Sequence, residues 1–250
     1  PRRLKRWYPT SLHDRSQMRV ALHQPNFLPH AGFFLKWMAA DHLLLFDTAQ
    51  VPDRGFTQRT KVLLGGQESW LSLPVIGKRR AIREVSLASD QPWRRKLCGS
   101  LERVWGESNA DQESLALLCD ALPDSKSLVE VNLALLKTLA EALAIKVPCS
   151  LTSEIEKDIN PDVSQRIVDL VKAIGGSTYL SGPSGRGYLD PTCFADAGLA
   201  LEFFSYELGP YPQASQDFVS GLSIVDTIAN LGLEGTKGLL HAATTRISAS

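Results

Sequence analysis

The stretch RVALHQPNFLPHAGFFLKWMAADHLLLFD, Arg19 to Asp47, decides the fold class. Arg19 to Gln24 centres on the short apolar run Val20 to Leu22 and reads as a strand. Pro25, Asn26 and Pro29 then break every regular pattern, because proline lacks the N–H that helices and central strands need and asparagine closes turns with its own side chain. From Ala31 to Ala40 the residues Phe33, Phe34, Trp37 and Met38 recur at helical spacing. His42 to Asp47 carries the unbroken apolar run Leu43 to Phe46 and reads as a second, buried strand. Strand, helix and strand in that order form a βαβ unit, whose two strands run parallel.

Outward from this unit the pattern stays mixed. TQRTKVLL and ESWLSLPV flank Gly65-Gly66, the signature of a β-hairpin, and AIREVSL can add a third strand to it. Helices are predicted from about Asp90 to Trp105, from about Asp111 to Leu122, and from Ser127 to about Ile145. In the last of these, Ser127 and Glu130 form a capping box. In NPDVSQRIVDLVKAIGG, Asn160 is expected to cap a helix that ends at Gly175. STYLSG and LALEFFSY read as strands and LSIVDTIANLG as a helix. The predicted fold is therefore α/β, with a mixed, largely parallel sheet, an inserted β-hairpin and a helical segment.

Residues 19–250 are expected to form one domain, since 250 residues of which 44% are hydrophobic can bury one sizeable core. Residues 1–18 are basic and aperiodic, and are expected to be a disordered or non-native extension, with Met18 as the natural start. Twenty-seven basic residues cancel twenty-seven acidic ones, so no global field draws in a nucleic acid or an anionic membrane. No apolar run reaches the ~20 residues that cross a bilayer, so no membrane insertion is expected. Cys98, Cys119, Cys149 and Cys193 are widely spaced among apolar neighbours, which suits reduced, buried thiols in a cytoplasmic protein and no metal site. Trp70, Trp93 and Trp105 are assigned to packing.

Three loops follow apolar strands, where open α/β sheets place their ligands: HQPNFLPHAG, FDTAQVPDRGFTQR and YLSGPSGRGYLD. His23 is the candidate acid or base, because imidazole titrates near neutrality. Gln24, Asn26 and His30 line the same loop, and Asp47 can hold a ribose hydroxyl, a substrate amine or a magnesium ion. Gln58, Arg59 and Lys61 are expected to form an anion site, the two cations alternating along one predicted strand and so sharing a face. In the late loop Ser181, Ser184 and Arg186 can donate to a phosphate, while Gly182, Gly185 and Gly187 permit close backbone approach. Gly32, at the start of the first helix, should let an anion dock on unpaired N–H groups, with Arg186 or Arg59 closing the other side.

HQPNFLPHAGFF, the aspartate of LLLFDTAQ, the arginine of FTQRTK, WLSLPV, YLSGPSGRGYLD, YPQ and LSIVDTIANLG stand in this order between Val20 and Gly235. In that series the chain resembles the WbqC-like protein family, and on that basis 19–250 is a domain of WbqC-like type. The resemblance implies a bacterial cytoplasmic protein linked to surface-polysaccharide (O-antigen) or secondary-metabolite biosynthesis. Two positions depart from the family's pattern. His30 stands where an aromatic residue is common, and Asp47-Thr48 replaces a paired aspartate. The first loop is also similar to that of nucleotidylyltransferases, except that Phe33 stands where a second histidine would follow the glycine.

Together these readings predict a group transferase acting on a phosphate-bearing small molecule, such as a nucleotide-activated amino sugar. His23, Asp47 and Arg186 would be catalytic, and magnesium would enter only with a nucleotide substrate. The alternative is a non-catalytic module that presents a sugar or nucleotide to a partner enzyme. Oligomeric state is left open.

Overall fold

The computed structural model describes residues 17–52, 55–77, 79–88, 92–106 and 112–250, so residues 1–16 of the basic extension lie outside it. The opening βαβ unit is β1 (Arg19–His23), α1 (Ala31–Met38) and β2 (His42–Leu45). The hairpin follows as β3 (Arg59–Leu64) and β4 (Gln67–Ser72). Gly65 and Gly66 turn it at φ of 61° and 72°, a pair of values that only glycine adopts without strain. A short ribbon of β5 (Val75–Ile76) and β6 (Ser86–Leu87) comes next, then the helices α2 (Trp93–Gly106), α3 (Gln112–Asp120) and α4 (Leu128–Ala142). The chain returns to the main sheet with β7 (Cys149–Leu151), α5 (Val163–Ala173), β8 (Thr178–Ser181), α6 (Pro191–Asp196) and β9 (Ala200–Glu207). It closes with α7 (Ile224–Ala242) and β10 (Thr244–Ala249).

The main sheet has the order β10-β9-β8-β1-β2-β7. All its pairs are parallel except β9 with β10, so the fold is α/β with a mixed, largely parallel sheet. Side chains alternate between two apolar layers. Ala21, Leu43, Leu45, Leu180 and Phe204 pack with α1, α7 and the helical segment, whereas Val20, Leu22, Leu44, Tyr179 and Phe203 pack with α5 and α6. A strand buried on both faces reads as an unbroken apolar run, which is why HLLLF shows no alternation.

The chain winds outward from β1 through β2 to β7, then crosses back to β8 on the other side of β1 and winds the opposite way to β9. The crevice beyond the carboxyl ends of β1 and β8 is thus the point where the winding reverses, the usual place for a ligand in such sheets. The two strands also part there. Their last ladder pair is Ala21 with Leu180, while β1 stays paired with β2 as far as His23 with Leu45.

Several local expectations are corrected. AIREVSL is a 3-10 turn at Ile82–Glu84 followed by β6, which pairs with β5 and not with the hairpin. The cap of α5 is Asp162, whose side chain accepts from the Gln165 N–H, while Asn160 accepts from the Asp162 N–H one turn earlier. The start expected for α2, at Asp90, lies outside the described residues. Cys98 on α2 and Cys119 on α3 are joined in a disulfide, because the two helices pack side by side and bring their Cα atoms to 5.8 Å. Cys149 and Cys193 are free thiols. Trp93 and Trp105 are buried, but Trp70 is 44% exposed, on the outer face of the hairpin. No helix of the described residues is long and apolar enough to cross a membrane.

Candidate functional site

The loop from Gln24 to Pro29 is held by four separate parts of the molecule. Asn132 of α4 donates its amide N–H groups to the carbonyls of Pro25 and Thr57, each at 2.7 Å. Phe27 N–H donates to the Phe56 carbonyl at 2.9 Å. The Leu28 carbonyl accepts from Thr60 Oγ1 at 2.9 Å and from Ser223 Oγ at 2.6 Å, and Ile224 N–H donates to the Pro29 carbonyl. So clamped, the loop holds Leu28 at φ 42°, a conformation that non-glycine residues keep only where their surroundings impose it.

Asn26 is only 6% exposed, and its Oδ1 is buried with no hydrogen-bond partner among the described residues. Buried amide oxygens are nearly always satisfied, because an unpaired one forfeits its hydration. His23 lies at the end of β1 with its ring edge-on to Phe33, 4.7 Å between centroids. Its Nδ1 donates to the Gln24 carbonyl at 3.1 Å, which fixes the proton on Nδ1 and leaves Nε2 as an acceptor with no bond among the described residues. Burial and then the nearby Lys36 ammonium lower its pKa to about 3, so the ring is neutral at physiological pH.

Lys36 is the one charged residue of α1, 8% exposed, and its Nζ donates to the Leu22 carbonyl at 3.0 Å. No carboxylate among the described residues forms a salt bridge with it. Burial lowers its pKa to about 8.

The other candidates divide into those the fold occupies and those it turns elsewhere. Asp47 is buried, and its carboxylate accepts from Thr152 Oγ1 at 3.0 Å, Ser153 N–H at 2.9 Å and Ser153 Oγ at 2.6 Å. It thereby ties β2 to the turn after β7. Thr48 beside it donates to Glu156 Oε2 at 2.6 Å and accepts from Arg166 at 2.9 Å, so a second aspartate at that position would face another carboxylate. Arg186 is exposed and turns away from β1: its guanidinium lies 3.9 Å from the Phe203 ring centroid and donates to Ser248 on β10. Phe203 faces the α5 and α6 layer and His23 the α1 layer. Arg186 is therefore on the other face of the sheet and reaches a strand three places from β1, about 14 Å sideways at ~4.8 Å per strand. Ser181 also faces that layer, with Oγ directed at the Gly182 carbonyl. A Cβ at Gly185 would meet Ser181 Oγ at 2.1 Å, so this glycine serves packing, and Ser184 is exposed.

The start of α1 is closed to an anion. His30 Nδ1 accepts from the Gly32 N–H at 3.0 Å, the His30 carbonyl takes the Phe33 N–H, and Tyr206 lies over Gly32 with its hydroxyl 3.3 Å from His30 Nδ1. Gly32 makes room for that ring, not for a ligand. Arg59 and Lys61 do share a face, but it is the outer one: Arg59 lies 4.1 Å from the Trp70 ring centroid and Lys61 pairs with Glu68. Gln58 accepts from Thr57 Oγ1 at 2.6 Å.

Residues 24–237 match the WbqC-like protein family. The chain belongs to this family. It is also similar to an uncharacterized protein of Mycobacterium tuberculosis, Rv1507c, with 25% identity over 221 residues, 86% of this chain and 95% of that one. No solved structure matches it. Among the described residues no group of three His, Cys, Asp or Glu side chains is placed to hold a metal ion.

Of the candidates read from this WbqC-like sequence, His23, Gln24 and Asn26 are brought together at the reversal point. Asp47, Arg186 and Gly32 are not brought to it. Lys36 is the residue that the sequence reading missed. Its signal was a single charge in a helix apolar on all sides, a pattern that puts the charge inside.

Proposed function

We propose that this WbqC-like chain is a group transferase acting on a small phosphate-bearing substrate, a nucleotide-activated amino sugar being the type, in the bacterial cytoplasm and in surface-polysaccharide or secondary-metabolite biosynthesis. The observation that carries the reading is the pairing, at the reversal point of the sheet, of a neutral His23 at the end of β1, its Nε2 without a bond among the described residues, with a buried Asn26 oxygen on the clamped loop that has no partner among them either. In this reading Nε2 takes a proton from the attacking hydroxyl or amine, and Asn26 Oδ1 accepts from a substrate donor and so fixes its orientation. A pKa of about 3 makes His23 a weak base on its own. A phosphate bound beside it would favour the imidazolium and offset the Lys36 charge, so the base would gain strength when the substrate is in place.

The test incubates the protein with nucleoside-diphosphate amino sugars and with hydroxyl or amine acceptors, following products by mass spectrometry and binding by thermal shift. We expect one donor to raise the melting temperature and to be consumed. His23→Gln should keep that thermal shift while slowing turnover by roughly 100-fold or more. Turnover by no donor, together with loss of affinity in His23→Gln, would make the chain a module presenting its sugar nucleotide to a partner enzyme. A panel in which no phosphate-bearing compound binds would overturn both.

A further inference from the structure

The Lys36 ammonium stands in the opening between β1 and β8. The direction follows from the backbone: His23 carbonyl accepts from the Phe46 N–H beyond the end of β2, so His23 points its carbonyl toward β2. Successive carbonyls of a strand point to opposite sides, so the Leu22 carbonyl points toward β8. The β1–β8 ladder stops one residue earlier, at Ala21 with Leu180, and it is this carbonyl that Lys36 Nζ meets at 3.0 Å. Across the gap, Gly182 extends β8 in an extended conformation (φ −77°, ψ 170°), two residues after the α1-facing Leu180. A Cβ built there would meet no atom within 4 Å, so the β8 side of the opening has room.

We infer that Lys36 is the phosphate-holding residue of the crevice, its ammonium binding the anionic oxygens of the substrate between His23 on β1 and Gly182 on β8. The inference rests on the transferase reading only in taking the anion to be part of a substrate. A cation taken out of water is normally kept with a carboxylate, since the loss of hydration otherwise goes uncompensated. Among the described residues Lys36 Nζ donates to one backbone carbonyl, which leaves two ammonium protons for a ligand. The cations expected to do this work, Arg186 and Arg59, lie on the far face of the sheet and on the outer face of the hairpin.

Inorganic sulfate is the probe, because it remains a dianion throughout the pH range and stands in for a phosphate. Sulfate should raise the melting temperature of the parent protein. In Lys36→Met its affinity should fall at least tenfold, while the melting temperature without sulfate stays equal or rises. An equal response to sulfate in the two proteins would overturn the inference. Should Lys36→Met fail to fold, the parent decides: its sulfate affinity should decline as pH rises past about 8, where Lys36 loses its proton. His23 on β1 and His30 before α1 both have lowered pKa values and stay neutral there, and Tyr206 of β9 is pushed above its ordinary value. Constant affinity from pH 7 to 9.5 would overturn the inference as well. Lys36-dependent sulfate binding in a chain that turns over no donor would leave the inference standing and remove the transferase. Full turnover by Lys36→Met would do the reverse.

Discussion

A Cβ at Gly32 would lie 2.3 Å from three atoms of the Tyr206 side chain. The ring itself stacks near His30 and Phe204, at centroid distances of 6.4 and 6.2 Å. Gly32→Ala should therefore cost about 1 kcal/mol, since the ring can swing outward only by giving up these contacts. In a Tyr206→Ala background the same substitution should cost almost nothing, and the difference appears as coupling in a double-mutant cycle measured by urea unfolding. Equal costs in both backgrounds would show that the glycine serves something other than the ring. His30 shows the same economy of space: one lone pair on Nδ1 caps the helix by accepting from the Gly32 N–H, and the Tyr206 hydroxyl lies 3.3 Å from the same nitrogen.

Among the elements, α4 holds the loop of the candidate site in place. Its Asn132 is fully buried and joins the β1 loop to the segment before β3 through two 2.7 Å bonds, while its own Oδ1 has no partner among the described residues. Asn132→Leu would strand both carbonyls, and a loss of about 2–3 kcal/mol in unfolding free energy is expected. Amide exchange at Phe27, whose N–H is bonded to Phe56, should quicken more than exchange in β9, because the loop would open locally before the sheet does. Exchange that quickens equally in both places would mean that Asn132 supports the whole fold and not the loop. Helix α7 shows a related device: Gly232, at φ 69° and ψ 177°, breaks it in a conformation almost confined to glycine, so the segment carries two helical directions in one run.

For the whole molecule, the buried histidines make stability depend on pH. His23 is lowered to about 3 and His42 to about 4, against 6.5 in an unfolded chain. Between pH 6.5 and 4 the unfolded chain binds protons that the folded chain refuses, so this contribution is fully present above pH 6.5, is lost as pH falls from there, and is gone once pH has passed the folded values. From pH 7 to 4.5 each histidine should account for roughly 2 kcal/mol of lost stability. The double variant His23→Gln, His42→Asn should show a distinctly flatter decline in chemical denaturation; an unchanged decline would place the loss in the carboxylates instead. The parts of this fold that were legible in the sequence are those specified by local periodicity and turn chemistry: the βαβ opening, the Gly65-Gly66 hairpin, the capping of α4 by Ser127, and the long helices. β7 and β10 were not, because three half-buried residues and six exposed ones carry no apolar signal, and such strands form only where a neighbouring edge is waiting. The sequence also brought His23 and Asn26 forward as candidate site residues, since polar groups beside prolines at a strand end are conspicuous in one dimension. Only the tertiary structure decided which face each residue takes. A one-residue step along a strand reverses that face, and Arg186, in the 3-10 turn Pro183–Gly187 beyond β8, lies across the sheet from His23 only because that turn lays it on Phe203 of β9. By the same geometry Lys36, hidden in an apolar helix, was delivered to the gap between β1 and β8, because the crossover lays that helix over the place where the two strands part.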